Sequence, residues 1–266
     1  MLPPDSPRTA AINGRLWGAR AQDWASIQEG QFSAAYEAVF DAFGLQLDTR
    51  YCDVGCGAGM AAMIAAQCGA QVCGLDASDK LLAIARQRVP AGDFQLGDLE
   101  ELPFANASFH LVTGFNSFQY AANPLAALAE ARRIAKPTGR IVVMTWGTPQ
   151  GMPAASIVGA LKPLLPVPPA GAPGPFALSE ETALRALATG AGLKPLAVSD
   201  VACEWQYPDL ATALRGVGSA GVAVRAAEAS SQEAVDAAHS AALAPFRRDD
   251  GSYRIGASFR WLLAAP

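Results

Sequence analysis

Tyr51-Cys52-Asp53-Val54-Gly55-Cys56-Gly57-Ala58-Gly59 is the stretch that decides the fold. A short apolar run ends in an acid, three glycines alternate, and an Ala-rich helical pattern follows at once. That order describes a strand–turn–helix junction. Glycine lacks a Cβ, so its backbone turns tightly and lets a ligand approach closely. Two more acids, Asp76 and Asp98, sit at the ends of the next two predicted strands. A glycine loop alone says little, but three such positions along one sheet edge, in this order, say a good deal.

Outward from the loop, short apolar runs alternate with helical patterns. Strands are predicted at 50–54, 71–75, 93–97, 109–114 and 140–146, and helices near 59–68, 78–89 and 124–135. Ser78 suits the N-cap of the second helix, and Pro124 the first turn of the third. Such alternation predicts right-handed βαβ crossovers and a parallel sheet covered on both faces. Upstream, Leu16, Trp17, Trp24, Phe32, Tyr36, Val39, Phe40 and Phe43 recur at helical spacing, so residues 15–44 read as helix ended by Gly44.

The texture changes after Trp146. Residues 149–175 hold eight prolines and four glycines, which predicts a loop around one short helix at 154–162. A helix at 179–190, an extended stretch at 193–206 and an Ala-rich helical region at 208–245 follow. Tyr253, Ile255, Phe259, Trp261 and Leu263 alternate in a last strand. No internal repeat is visible. The expected layout is a single domain: a helical cap (1–45), a ligand-binding core (46–147), a lid insertion with helices (148–250) and a closing strand (251–266).

Composition removes several classes of function. The chain of 266 residues is 51% hydrophobic and 17% charged, which suits a packed globular protein. A net charge of −4 argues against nucleic acid as a partner, and Arg132-Arg133 and Arg247-Arg248 are only pairs. No stretch reads as a signal peptide or a bilayer span, so a membrane is not an expected partner. The five cysteines, odd in number and without a CxxC pair, read as reduced, buried thiols of a cytoplasmic protein. Two isolated histidines and no paired thiols give no metal constellation.

The glycine loop admits two readings. Gly57-Ala58-Gly59-Met60-Ala61-Ala62 satisfies the GxGxxA dinucleotide pattern, with Asp76 as the acid 19 residues after Gly57. That supports a NAD-dependent oxidoreductase, although no Ser/Tyr/Lys catalytic set accompanies it. Asp53, just before the first glycine, disfavours a pyrophosphate and suits an ammonium group. With Asp98 after the third strand, the acids match a ligand carrying an amine, a ribose diol and an adenine amine.

On those residues the chain resembles the class I S-adenosylmethionine-dependent methyltransferases, in particular the small-molecule group that includes the ubiquinone/menaquinone-type enzymes. The resemblance covers residues 45–147 and rests on the glycine loop, Gly74-Leu75-Asp76-Ala77-Ser78, Gly97-Asp98-Leu99-Glu100-Glu101-Leu102-Pro103-Phe104, and Pro124 through Trp146. It implies a Rossmann-like α/β fold: seven strands, mostly parallel, in the order 3-2-1-4-5-7-6, with the N-terminal helices and the helical insertion as a lid. It also implies S-adenosylmethionine as cofactor. Gly55, Gly57 and Gly59 would shape the loop under its methionine part and Asp53 would face its amino group. Asp76 would accept from the ribose hydroxyls, Ala77 and Ser78 would flank the adenine, Asp98 and Leu99 would meet the adenine amine, and Asn116 would lie near the reacting end.

The implied activity is methyl transfer to a small apolar or aromatic acceptor by a monomer or homodimer, with C-, N- and O-methylation all open. A protein that binds the cofactor without transferring methyl uses the same residues. Trp24, Phe118, Tyr120 and Trp146 are candidates for the acceptor wall, and each is equally a core aromatic. His239, in the insertion, is a candidate base, or a packing residue. Cys56 has no base beside it and reads as packing, as does His110, where relatives commonly carry an acid.

Overall fold

The computed structural model describes residues 9–167 and 174–266. The N-terminal part contains α1 (Ala10–Gly18), α2 (Ala21–Asp23) and α3 (Ser33–Phe43). The core then alternates: β1 (Arg50–Val54), α4 (Met60–Gln67), β2 (Gln71–Asp76), α5 (Asp79–Arg88), β3 (Asp93–Leu96), β4 (Phe109–Phe115), α6 (Pro124–Ile134) and β5 (Ala135–Trp146). There follow α7 (Ala154–Gly159), α8 (Glu181–Gly190), β6 (Lys194–Tyr207), α9 (Leu210–Val217), α10 (Gly221–Ala229), α11 (Gln232–Leu243) and β7 (Tyr253–Ala265).

One sheet carries all seven strands in the order β3-β2-β1-β4-β5-β7-β6, with β7 antiparallel to both its neighbours. This is the α/β order implied by the resemblance. Alternation along the central strands sorts their side chains into two cores. Val142 and Met144 join Tyr51, Leu111 and the α3–α4 side, while Ile141 and Val143 join Cys52, Val112 and the α6–α8 side. Burying both faces is what allows such uninterrupted apolar strands. The expected helix caps are present. Ser78 Oγ accepts from Leu81 N at 3.3 Å, and Pro124 occupies the first turn of α6 behind the cap Asn123.

Four expectations need correction. The helical stretch expected over 15–44 is not regular throughout: a π-turn at Trp24–Gln28 and a 3-10 turn at Glu29–Phe32 separate α2 from α3. The short helix stops at Gly159 rather than 162, with a 3-10 turn at Lys162–Leu164. β5 begins at Ala135, whose pairing with Phe109 precedes a register shift before Arg140 pairs Leu111. Cys68 is exposed and Cys73 half-buried, so only Cys52, Cys56 and Cys203 are buried thiols. The proline-rich loop falls partly, at 168–173, outside the described residues.

The loop between β1 and α4 depends on three left-handed glycines, with φ of 82° at Gly55, 56° at Gly57 and 81° at Gly59. A Cβ on Gly59 would sit 2.9 Å from the Ala85 Cβ and 3.0 Å from its Cα, so this glycine also sets the approach of α4 to α5. Gly59→Ala adds backbone strain to that clash and should cost roughly 1–3 kcal/mol. Denaturant unfolding checks it, as a lower midpoint at unchanged slope.

Candidate functional site

The glycine turn is stapled to the end of β2. Gly55 N and Cys56 N both donate to Leu75 O, at 2.7 and 3.0 Å. Asp76 completes the staple: Oδ2 accepts from Gly57 N at 2.9 Å and Oδ1 from Ser78 N at 2.8 Å. Burial raises its carboxyl pKa, and these backbone donors oppose the rise. Each oxygen accepts one backbone bond here and can accept another. Asp98 lies two residues past the end of β3; Oδ1 accepts from Glu100 N at 2.9 Å, and Oδ2 is buried without a hydrogen-bond partner.

Asp53 is 2% exposed and pairs across the sheet with Thr113. Tyr51 O–H donates to Thr113 Oγ1 at 2.7 Å, and Thr113 in turn donates to Asp53 Oδ1 at 2.8 Å. Burial pushes the Asp53 carboxyl up to about 7, with Glu29 and Asp76 adding to the rise. The cause is desolvation of a charge with no cation against it.

A small cavity of about 40 Å³ lies on this edge, lined by Trp24, Glu29, Tyr36, Asp53, Gly55, Cys56, Gly57, Ala61 and Phe115. It brings together four of the candidates read from sequence: Asp53, Gly55, Gly57 and Trp24. Glu29, Tyr36 and Phe115 were missed. Glu29 is 3% exposed; Oε1 accepts from Ala58 N at 2.9 Å, and Oε2 pairs with Arg88. No periodicity could reveal it, because Trp24 and Glu29, five apart, face different sides of a regular α-helix. The i→i+5 bond from Glu29 N to Trp24 O brings them to one face.

The remaining candidates lie around this cavity or away from it. Ala77 and Ser78 are covered by α1, and a Cβ on Gly14 would fall 2.0 Å from Ala77 O. Leu99 is half-buried against the second core. Asn116 holds φ of 53° and accepts from Gln119 Nε2 at 3.1 Å. Tyr120 is half-buried edge-on to Trp17, and Trp146 stacks on Phe259 at 4.9 Å. Phe118 is fully buried over Gly114 and does not reach the cavity. The Cys56 thiol is held well above its ordinary range by burial, and so is no nucleophile. A larger cavity of about 460 Å³, lined by Arg50, Cys73, Asp93 and Phe109 among others, sits at the opposite edge, where the strands begin. Open α/β sheets bind ligands at the carboxyl ends of their strands, which makes the smaller cavity the candidate site.

Two absences concern the described residues. No group of three or more His, Cys, Asp or Glu could hold a metal, and no helix is long and apolar enough to cross a membrane.

The family described as "Methyltransferase domain" matches residues 52–143. The chain is 36% identical over 123 residues to a demethylmenaquinone methyltransferase of Renibacterium salmoninarum, covering 46% of this chain and 52% of the relative. A malonyl-acyl-carrier-protein O-methyltransferase of Erwinia pyrifoliae is 30% identical over 175 residues, covering 65% and 62%. The chain thus spans about half to three-fifths of these relatives. In structure it superposes on a putative methyltransferase of Bacillus halodurans with TM-score 0.56 at 15% identity, covering 86% of this chain and 97% of the other. Residues 52–143 thus match a methyltransferase domain, set in the sheet and helices that the solved methyltransferase shares.

His239 is 2% exposed in α11, with Nδ1 unpartnered. Burial lowers its pKa from 6.5 to about 4; nearby Asp236 opposes the shift and Arg20 adds to it. The unfolded chain therefore takes up this proton first. Stability should fall as pH drops below about 6.5, levelling off near 4, by roughly 2–3 kcal/mol from this group. His239→Leu should flatten that slope, as read from urea midpoints between pH 7 and pH 4.

Proposed function

We propose that the chain transfers a methyl group from S-adenosylmethionine to a small, apolar or aromatic acceptor. The observation that carries this reading is the row of Asp53, Asp76 and Asp98 along the carboxyl edge, with the glycine turn between the first two. The residues present fit the cofactor: Asp98 Oδ2 is a buried acceptor awaiting a donor, and Gly57 leaves open a space that a Cβ would close to 3.0 Å from Glu29. A nicotinamide dinucleotide shares the adenine amine and the ribose diol but carries no ammonium group for Asp53.

In this reading Asp53 holds the ammonium group, Asp76 accepts from the ribose hydroxyls and Asp98 accepts from the adenine amine. Ala77, Ser78 and Leu99 flank the base, and Asn116 lies at the reacting end. The bound cofactor supplies an already activated methyl group. What remains for the chain is to hold the acceptor in line and exclude water. Trp24 and Trp146, half-buried and close to Phe32 and Phe259 respectively, suit the wall of an apolar acceptor site. The N-terminal helices and residues 148–250 would cover it. His239, buried and neutral near pH 7, suits packing of that cover better than proton transfer. Five free cysteines support a reducing, cytoplasmic setting.

Calorimetric titration tests the reading. S-adenosylmethionine and S-adenosylhomocysteine should bind at micromolar strength and NADH should not; the reverse pattern would restore the oxidoreductase. Methyl transfer to an acceptor, scored by mass, separates an enzyme from a protein that only binds the cofactor.

Asp53→Asn gives a second check. The native carboxyl ionises only near 7 while the unfolded one ionises near 3.8, so its cost grows across that window and persists above it. At pH 8 the variant should be more stable by about 1–3 kcal/mol, and should bind both sulfur ligands more weakly.

A further inference from the structure

An acid that is 3% exposed in the site needs an account, and Arg88 supplies only part of one. The Arg88 guanidinium pairs with Glu29 and also donates to Ala58 O at 2.9 Å and Ala25 O at 2.6 Å. It thereby fastens the irregular turns at 24–32 to the glycine loop. Gln31 fastens their far end to β6, donating to Gln206 O at 3.0 Å and accepting from Gln206 N at 2.9 Å; Tyr207 O–H donates to Gln28 Oε1 at 2.7 Å. An ion pair on the surface would have tethered this segment without desolvating a carboxylate.

The placement of Glu29 is specific. A Cβ on Gly57 would meet Glu29 Oε1 at 3.0 Å, so the glycine admits this carboxylate. Glu29 and Asp53 line the same cavity, one from the N-terminal segment and one from β1. Asp76 is the second carboxyl acting on Asp53, and Arg88 pairs with Glu29. The cavity therefore carries excess negative charge, facing a space into which a cationic group fits. An ammonium has three donors, and Asp53 Oδ1 already serves Thr113.

We propose that Glu29 is a second anionic partner of the cofactor's ammonium group, acting with Asp53, so that the bound ligand ties the 24–32 segment to the sheet. This rests on the cofactor reading above. It makes Glu29 a binding residue and Arg88 a positioning residue that holds it in place. The cavity between Glu29 and Asp53 holds only about 40 Å³, so in this proposal the segment shifts on entry and re-forms its contacts around the ligand.

The test is a ligand cycle: S-adenosylhomocysteine and its analogue lacking the α-amino group, titrated into wild type and Glu29→Gln. Losing one charged hydrogen bond should weaken S-adenosylhomocysteine about tenfold or more in the variant, and leave the analogue within about twofold. Equal affinity of wild type and variant for S-adenosylhomocysteine would overturn the proposal. So would tighter binding by the variant, which would make Glu29 a plug that the ligand displaces. A wild-type measurement guards against a variant that fails to fold. Amide exchange over residues 24–32 should slow with S-adenosylhomocysteine and much less with the analogue; equal slowing by both would overturn the proposal. If wild type binds neither ligand, the cofactor reading itself falls, and this proposal with it.

Discussion

The Asp76 carboxylate is the contact on which the carboxyl edge depends. One oxygen receives the Gly57 amide from the first βα turn and the other the Ser78 amide from the second. A single side chain at the end of β2 thereby fixes two adjacent turns, and Leu75 O, one residue earlier, takes the amides of Gly55 and Cys56. These amides are donors that a tight turn would otherwise leave unpaired as it sinks into the protein. Left-handed glycines let the chain follow this path. The same geometry keeps the turn open to a ligand on its outer side.

Desolvation gives the site its character. Asp53 and Glu29 are carboxyls withdrawn from water, each raised in pKa by burial, with Arg88 paired to Glu29 alone. Such an arrangement costs stability in the free protein, and it is the kind of cost that concentrates at functional sites. The Tyr51–Thr113–Asp53 chain of hydrogen bonds holds the first carboxyl rigidly in the sheet. The second arrives on an irregular helix, where π and 3-10 turns commonly mark segments that move.

The core strands and the acids Asp53, Asp76 and Asp98 at the ends of the first three were legible in the sequence because each leaves a local mark; the sheet order came with the family resemblance. β1 is an apolar run before glycines, Ser78 and Pro124 sit at helix starts, and β7 alternates. The antiparallel insertion of β7 came only with the family resemblance, since pairing partners far apart in sequence leave no periodic trace. The break at 24–32 was hidden for a different reason. Its apolar residues keep helical spacing, while tertiary bonds from Arg88, Gln31 and Tyr207 select another winding. Glu29 was invisible with it, as were Tyr36 and Phe115, which look like ordinary core residues until the fold places them beside Asp53. Among the aromatics proposed for the acceptor, Trp24 reaches the cavity and Phe118 is packed away, a difference set by strand register and loop path.

The most direct measurement is a crystal structure grown with S-adenosylhomocysteine. The account predicts the ligand at the carboxyl edge, beside Asp53, Asp76 and Asp98, with residues 24–32 displaced from their present contacts and the cavity enlarged from about 40 Å³. Ligand density at the opposite edge, between Arg50 and Asp93, with the glycine turn and the 24–32 segment unchanged, would contradict it.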